Sequence, residues 1–284
     1  MMHLDAGAGA LDYFPCRYGA SKALFRGPAR DLTQPYIAVL GGSASFGKYV
    51  AQPYPELLEQ ALGLPVANLA AQNAGPDLYL SDPAAVKIAA GAAVAVVQIT
   101  GVEGLSNPFY SVHARRNDRF LAATPALRAL YPEVDFTDIH FTRHLLTALR
   151  RADPQRFGTV LQVLQETWVD RMQGLLARLP GCHVLVWLSE AAPPGRVEAP
   201  GTGFGPWLVD QGMLAALQGP RTRLVEVVAS RAALTEGAAG MLYPETEAQQ
   251  ARALPGAAVH LEAAERLAPE VARLMANEKG ATLR

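Results

Sequence analysis

The sequence predicts an α/β fold built on a mainly parallel sheet, and three observations carry this prediction. Short apolar runs recur along the chain, at residues 36–40, 64–69, 93–100, 183–188 and 224–228. Stretches long enough for helices separate these runs. The runs also lack the polar alternation of strands that face water on one side, so both faces of the sheet are expected to be covered. We therefore predict a three-layer α/β/α sandwich with about five mainly parallel strands.

The stretches between the apolar runs predict the helices. They span residues 53–63, 82–91, 154–179 and 207–218, and a last helix is predicted over 261–276. Asp82 followed by Pro83 is typical of an N-cap and a first helical residue. Gly63 and Gly91 stand where a left-handed C-cap favours glycine. Residues 105–153 contain no clear strand, which predicts a helical insertion between strands 3 and 4 of the sheet, over its carboxyl edge.

Composition limits the classes of function. The chain has 284 residues, half of them apolar, with 25 Lys and Arg against 26 Asp and Glu. One core can serve this length, so a single domain over residues 1–284 is predicted, with an N-terminal arm over 1–35. The balanced charge argues against nucleic acid or a membrane as partner. We recognise no signal segment and no apolar run of about 20 residues, which predicts a cytoplasmic protein; a homo-oligomer remains possible.

A serine follows the first apolar run, where open α/β sheets bind ligands. The glycines of Gly41-Gly42-Ser43-Ala44-Ser45-Phe46-Gly47 allow a sharp turn that sets Ser43 at the strand tip. Two interpretations are open: Ser43 is a nucleophile or part of an anion site, or it caps the next helix in an ordinary turn. The segment is not a P-loop, a G-x-S-x-G elbow or a dinucleotide fingerprint, and no cofactor is predicted.

A histidine near the end of the chain is the natural partner for this serine. Residues 255–261 lead into the last predicted helix, and His260 stands at its start. A helix at this place in the chain can bring its first residues to the edge of the first strand, and a serine nucleophile needs a base within hydrogen-bond reach. The alternative is that His260 is a solvated residue of a helix N-terminus.

These residues resemble the conserved blocks of the SGNH (GDSL-like) hydrolases. Segment 41–47 is similar to the family's Gly-Asp-Ser-x-x-x-Gly block, and Val259-His260-Leu261 is similar to its final block. Residues 68–75 and Gly101 occupy the places of the second and third blocks. The resemblance covers residues 36–274, and the whole chain also resembles a bacterial family of unknown function. It implies an SGNH or flavodoxin-like α/β/α fold and an esterase or acyltransferase.

The resemblance also implies roles for individual residues. Ser43 would attack an acyl carbonyl and His260 would take its proton. The backbone N–H groups of Ser43 and Gly75, with the side chain of Asn73, would hold the oxyanion. The implied substrate is a small molecule or carbohydrate with an O-acyl group.

The chain departs from the family pattern at several positions. Gly42 replaces the aspartate of the first block, and Ala257 replaces the aspartate that orients the histidine. Loss of that carboxylate costs on the order of 10⁴ in rate in serine proteases. Its nearest replacements in sequence are Glu245, Glu247 and Glu262.

The third block departs as well, since its asparagine falls on Glu103, which cannot donate to an oxyanion when ionised. Asn73 or Asn107 could replace that asparagine. These departures leave two alternatives open: an acyl- or sulfo-group transferase that uses the same pocket, and a non-catalytic protein that binds a glycan or nucleotide.

Arginines in the insertion predict recognition of an anionic group. Arg115 and Arg119 share one face if their segment is helical, and Arg116 lies between them. Arginine forks match carboxylate, sulfate and phosphate geometry, although such clusters are often only solvated faces. Asn107, Glu103 and Ser45 complete the predicted substrate-binding set.

Three other features of the sequence are candidates for a binding role. The arm carries a second basic set: Arg17, Lys22, Arg26 and Arg30. Trp207 follows a Gly/Pro-rich loop and could line a pocket. His140 and His144 are four residues apart but belong to no metal-site motif, and no metal is predicted.

Overall fold

The structure is a computed structural model that describes residues 11–199, 201 and 203–282. The first ten residues, in which the sequence predicts no signal segment, lie outside the described residues. The strands are β1 (Ile37–Leu40), β2 (Val66–Asn68), β3 (Val94–Gln98), β4 (Tyr110–His113), β5 (Arg116–Ala123), β6 (His183–Ser189) and β7 (Thr222–Val228). The helices are α1 (Ser43–Phe46), α2 (Tyr54–Leu62), α3 (Pro76–Leu80), α4 (Pro83–Ala90), α5 (Pro125–Leu130), α6 (Thr142–Ala152), α7 (Pro154–Leu176), α8 (Gln211–Ala215), α9 (Arg231–Glu236), α10 (Ala248–Arg252) and α11 (Ala257–Thr282).

A parallel sheet forms the centre of the fold, and this confirms the predicted class. Five strands pair in the order β2-β1-β3-β6-β7, and every pair is parallel. All five carboxyl ends therefore lie at one edge. Because β1 lies between β2 and β3, the segments that follow these three strands meet at that edge.

Two apolar cores cover the two faces of the sheet. Successive side chains of β1 alternate between them: Ile37 and Val39 pack on one face, and Ala38 and Leu40 on the other. The first core is completed by α2 and α11, and the second by α3, α4 and α7. Strands buried on both faces read as continuous apolar runs, which is why the sequence predicts them well.

The helix ends follow the predicted chemistry with one exception. The side chain of Asp82 accepts from the backbone N–H of Ala85 at 3.1 Å, as an N-cap does. Gly63 adopts the expected left-handed conformation with φ 63°, whereas Gly91 is right-handed with φ −87°. The left-handed prediction for Gly91 is therefore wrong. Glycine is required at position 91 by lack of space, because a Cβ there would lie 2.9 Å from the Tyr36 hydroxyl oxygen.

The insertion is not wholly helical, and this corrects a prediction. It lies between β3 and β6 of the main sheet as expected, but it begins with the antiparallel hairpin of β4 and β5, and α5 and α6 follow. Arg115 lies in the hairpin turn and Arg116 starts β5. The predicted helical face shared by Arg115 and Arg119 does not exist.

The basic residues of the arm stabilise the fold. Arg17 donates to the carbonyl of Lys22 at 2.6 Å, and Arg30 pairs with Glu59 at 2.7 Å. Arg26 is buried and donates to the carbonyls of Gly47 and Ala51, both at 2.7 Å. In the described part of the arm, three of the four basic side chains of this set are therefore engaged in contacts within the fold.

Within the described part of the chain, no helix is both long enough and apolar enough to cross a membrane.

Candidate functional site

The turn between β1 and α1 presents Ser43 at the carboxyl edge of the sheet. Ser43 is the first residue of α1, and the preceding cap position is Gly42, so the serine is not an N-cap. Gln98 at the end of β3 holds this turn, because its Oε1 accepts from Gly42 N at 3.0 Å and from Ser45 N at 3.1 Å. A Cβ on Gly41 would lie 2.6 Å from that same oxygen. The turn is thus tied to the neighbouring strand and needs glycine.

The Ser43 hydroxyl lies against Asn73, which follows β2. Ser43 Oγ accepts from the backbone N–H of Asn73 at 2.9 Å and donates to Asn73 Oδ1 at 3.0 Å. Asn73 adopts a left-handed backbone with φ 57°, a costly conformation for a residue other than glycine and one that is often kept at functional sites. Ser43 is half-buried and Asn73 is exposed, so solvent reaches this pair. The structure therefore brings these two predicted site residues together.

The predicted oxyanion donor Gly75 is already occupied. Its N–H donates to Asn117 Oδ1 at 2.7 Å, and the backbone N–H of Asn117 donates to Asn73 O at 3.1 Å. Asn117 belongs to β5, so the insertion closes this part of the edge. The N–H of Ser43 donates to no group among the described residues. We call Ser43 and Asn73 the Ser43 site.

His260 lies in the core beside α2 and does not bond to Ser43. Its Nδ1 accepts from the backbone N–H of Tyr54 at 3.1 Å, and its ring stacks on the Tyr54 ring at 5.9 Å between centroids. Pro53, the cap residue of α2, has no side-chain acceptor, so the imidazole supplies one to the first turn of this helix. Among the described residues, no hydrogen bond joins His260 to Ser43.

The protonation of His260 follows from these contacts. Burial and, to a smaller extent, the positive charge of Arg26 together lower the pKa of the imidazole to about 3. The ring is neutral at pH 7, and because Nδ1 accepts a hydrogen bond, the proton resides on Nε2. A base needs a lone pair toward its target and a pKa near the working pH. In the observed arrangement, His260 meets neither condition.

Stability should therefore depend on pH through His260. The unfolded chain binds a proton on this residue below about pH 6.5, whereas the folded chain binds it only near pH 3. Lowering the pH through this window favours unfolding, with a slope of up to about 1.4 kcal/mol per pH unit. His260→Asn retains an acceptor and does not titrate. We expect the stability advantage of the wild type over this variant to shrink from pH 6.5 to 4.5 in guanidinium unfolding.

His183 serves as an internal control in that experiment. Burial also lowers its pKa, but it is present in both proteins and cancels in their difference. A difference in unfolding free energy that stays constant over this pH range would contradict the role given to His260.

Glu103, Arg143 and Trp207 form a second group at the same edge. Arg143 Nε lies 3.0 Å from Glu103 Oε1, and the Arg143 guanidinium lies 4.2 Å from the Trp207 ring. The Val102 N–H donates to Trp207 O at 3.0 Å, which holds the tryptophan beside the β3 end. That Trp207 lines a pocket stays a prediction.

Three other predicted substrate-binding residues, Ser45, Asn107 and Arg119, make contacts within the fold. Ser45 is fully buried, with its hydroxyl 2.6 Å from that of Tyr54, which leaves it no surface for a substrate. Asn107 holds its own turn by accepting from Phe109 N at 2.9 Å. Arg119 stacks on Phe141 at 4.3 Å.

Among the described residues, Arg115 and Arg116 form no bond with Ser43 or Asn73. The carboxylates considered for orienting His260 do not bond to it either. Arg116 Nη2 lies 3.7 Å from Asp118 Oδ2. The side chain of Arg115 makes no bond among the described residues. Glu262 accepts from the Ser230 N–H at 3.0 Å, and Glu247 contacts Tyr49 and Lys48. Neither carboxylate bonds to the imidazole of His260.

Sequence reasoning missed two residues that shape the site. Gln98 ends an otherwise apolar strand, and this polar interruption at a carboxyl end was the available signal. Asn117 is 1% exposed on β5. The sequence does not predict its role, because its segment is expected to be helical. No group of three or more His, Cys, Asp or Glu residues suited to a metal ion occurs in the described ranges.

Comparison with known proteins gives a family. A family model described as "Domain of unknown function (DUF6473)" matches residues 1–275. The chain belongs to this family. No curated protein matches the chain. The match to the DUF6473 model covers nearly the whole length of the chain, including the N-terminal arm.

Two solved structures are distantly similar to this DUF6473 chain. One is the lipase Lip_vut3 from a goat rumen metagenome, with TM-score 0.43 and 14% identity over 82% of this chain and 96% of that one. The other is a carbohydrate esterase family 2 enzyme with a carbohydrate-binding domain from Corynascus thermopiles (Myceliophthora fergusii). Its TM-score is 0.41 and its identity 12%, over 88% of this chain and 69% of that one. The resemblance to SGNH hydrolases stays a prediction.

Proposed function

We propose that this DUF6473 protein cleaves or transfers an acyl ester and that Ser43 is its nucleophile. The observation that carries the proposal is the Ser43 hydroxyl, half-buried at the carboxyl end of β1 and fixed by two hydrogen bonds to Asn73. Its own N–H, without a partner among the described residues, supports oxyanion binding next to the attacking oxygen. The side-chain amide of Asn73 is a second donor for that oxyanion.

The chemistry requires a change at His260. Ser43 Oγ would attack the acyl carbon, its proton would leave to the base, and the alcohol of the ester would leave with that proton. Asn73 Oδ1 cannot serve as the base because an amide oxygen is too weak. His260 could accept the proton at Nε2 only if Nδ1 carried one, and it would then lose the Tyr54 N–H. Substrate binding would have to drive this exchange.

The test is covalent labelling with a fluorophosphonate together with hydrolysis of 4-nitrophenyl acetate. We expect one phosphonyl adduct on Ser43 and release of nitrophenol, both lost in Ser43→Ala. Ser111→Ala is the control, since this half-buried hydroxyl lies on β4 away from the site. Labelling of wild type and Ser43→Ala to the same extent would overturn the proposal.

A second candidate is a binding protein without turnover, and the state of His260 favours it. An imidazole with its Nδ1 occupied and a pKa of about 3 is a weak base. In that case the same experiment gives neither adduct nor nitrophenol, and the Ser43 site recognises a polar ligand.

A further inference from the structure

Three polar atoms near the end of β3 are buried and have no hydrogen-bond partner among the described residues. They are Thr100 Oγ1, Glu103 Oε2 and Trp207 Nε1. Buried polar atoms nearly always have a partner in native proteins, because an unmade bond is costly. Atoms left without a partner in this way are candidates for bonds that a bound molecule supplies.

The residues that carry these atoms meet around Gly101. A Cβ on Gly101 would lie 2.0 Å from Glu103 Oε2 and 2.8 Å from the backbone nitrogen of Trp207, so both residues border the same glycine. Thr100 directly precedes that glycine. The Arg143 side chain, 46% exposed, contacts both the glutamate and the tryptophan and forms the outer wall.

This place adjoins the Ser43 site. A Cβ on Gly42 would lie 3.8 Å from Thr100 Cγ2, and one on Gly75 would lie 3.9 Å from Thr100 Oγ1. Thr100 therefore lies beside the glycines near Ser43 and Asn73 and directly precedes Gly101, which Glu103 and Trp207 border.

The three atoms differ in hydrogen-bond character. Glu103 Oε2 only accepts when ionised, Trp207 Nε1 only donates, and Thr100 Oγ1 does both. An alcohol hydroxyl satisfies the first two at once, since it has one proton to donate and lone pairs to accept. An ammonium group offers no lone pair to the indole, and an anion offers no proton to the Glu103 carboxylate.

We propose that Thr100, Glu103 and Trp207 form a hydroxyl subsite that binds a polyhydroxylated, sugar-like part of the ligand. The assignment of this part as the alcohol side of an acyl ester rests on the proposed function, whereas the binding itself does not. An indole beside hydrogen-bonding groups is also suited to the apolar face of a sugar ring.

The experiment measures binding of methyl glycosides of glucose, galactose and xylose by calorimetry, with Ser43→Ala included to exclude turnover. We expect millimolar binding of at least one glycoside and none of its fully methylated ether, which has no hydroxyl proton. Glu103→Gln reverses the hydrogen-bond character at Oε2 without changing shape, and Trp207→Phe removes the donor. Each should weaken binding at least tenfold.

Glu265→Gln is the matched control, because this exposed glutamate lies on α11. It should bind as the wild type does, and thermal melting should verify that all variants fold. If no glycoside binds the wild type, or if the Glu103 and Trp207 variants bind as tightly as the control, the subsite proposal is overturned. Failure of fluorophosphonate labelling with intact glycoside binding would remove only the proposed chemistry.

Discussion

Replacing Trp168 with alanine is expected to lower the free energy of unfolding by about 3–5 kcal/mol. Trp168 lies in the middle of α7, is 0% exposed, and fills the core between this helix and the sheet. Its indole N–H donates to Thr100 O at 2.9 Å. The substitution therefore opens a cavity and leaves a carbonyl at the site edge without its donor. Guanidinium unfolding followed by far-UV circular dichroism measures the loss.

Two further variants separate the causes. Trp168→Phe keeps most of the volume but removes the donor, and should cost about 1–2 kcal/mol. Leu261→Ala truncates an apolar side chain that is 51% exposed, and should change stability by about 0.5 kcal/mol or less. A Trp168→Ala loss no larger than the Leu261→Ala loss would contradict the packing described for α7.

The sheet could be predicted because its strands are covered on both sides. β6 is buried at all seven positions, so its sequence is a continuous apolar run. The hairpin gave no such signal. β4 and β5 are joined by Ala114 and Arg115, without the Asn-Gly or Asp-Gly pair that marks a two-residue turn. The charged residues of β5 then suggested a helix face instead of a half-exposed strand.

The sequence predicts which residues of the candidate site lie close together only where the path of the backbone determines it. Ser43 and Asn73 follow adjacent strands, so a parallel sheet brings them together at its edge. The partner of His260 could not be read from the sequence, since it depends on how α11 packs on α2. The lack of a side-chain acceptor at Pro53 is a signal only after that packing is known. Side-chain pairing across the fold requires the structure, whereas the alternation of strands and helices along the chain does not.

Arg26→Met should destabilise the protein by about 3–5 kcal/mol, although it lies in the N-terminal arm. Arg26 is 5% exposed and donates to Gly47 O and Ala51 O, which follow α1. Its Nε lies 3.4 Å from a carboxylate oxygen of Glu56. Methionine fills the space but leaves these carbonyls without donors and the half-buried carboxylate without its counter-charge. Urea unfolding at pH 7 measures the effect.

The paired variants test whether burial is the cause. Arg273 also pairs with a glutamate, at 2.6 Å on α11, but is 45% exposed, so Arg273→Met should cost about 0.5 kcal/mol or less. Adding Glu56→Gln to Arg26→Met should restore about 1–2 kcal/mol, because the uncompensated carboxylate is then removed. Equal losses for Arg26→Met and Arg273→Met would contradict burial as the reason that the Arg26 contacts are costly to lose. With the predicted difference, the buried contacts of Arg26 stabilise the segment that follows α1.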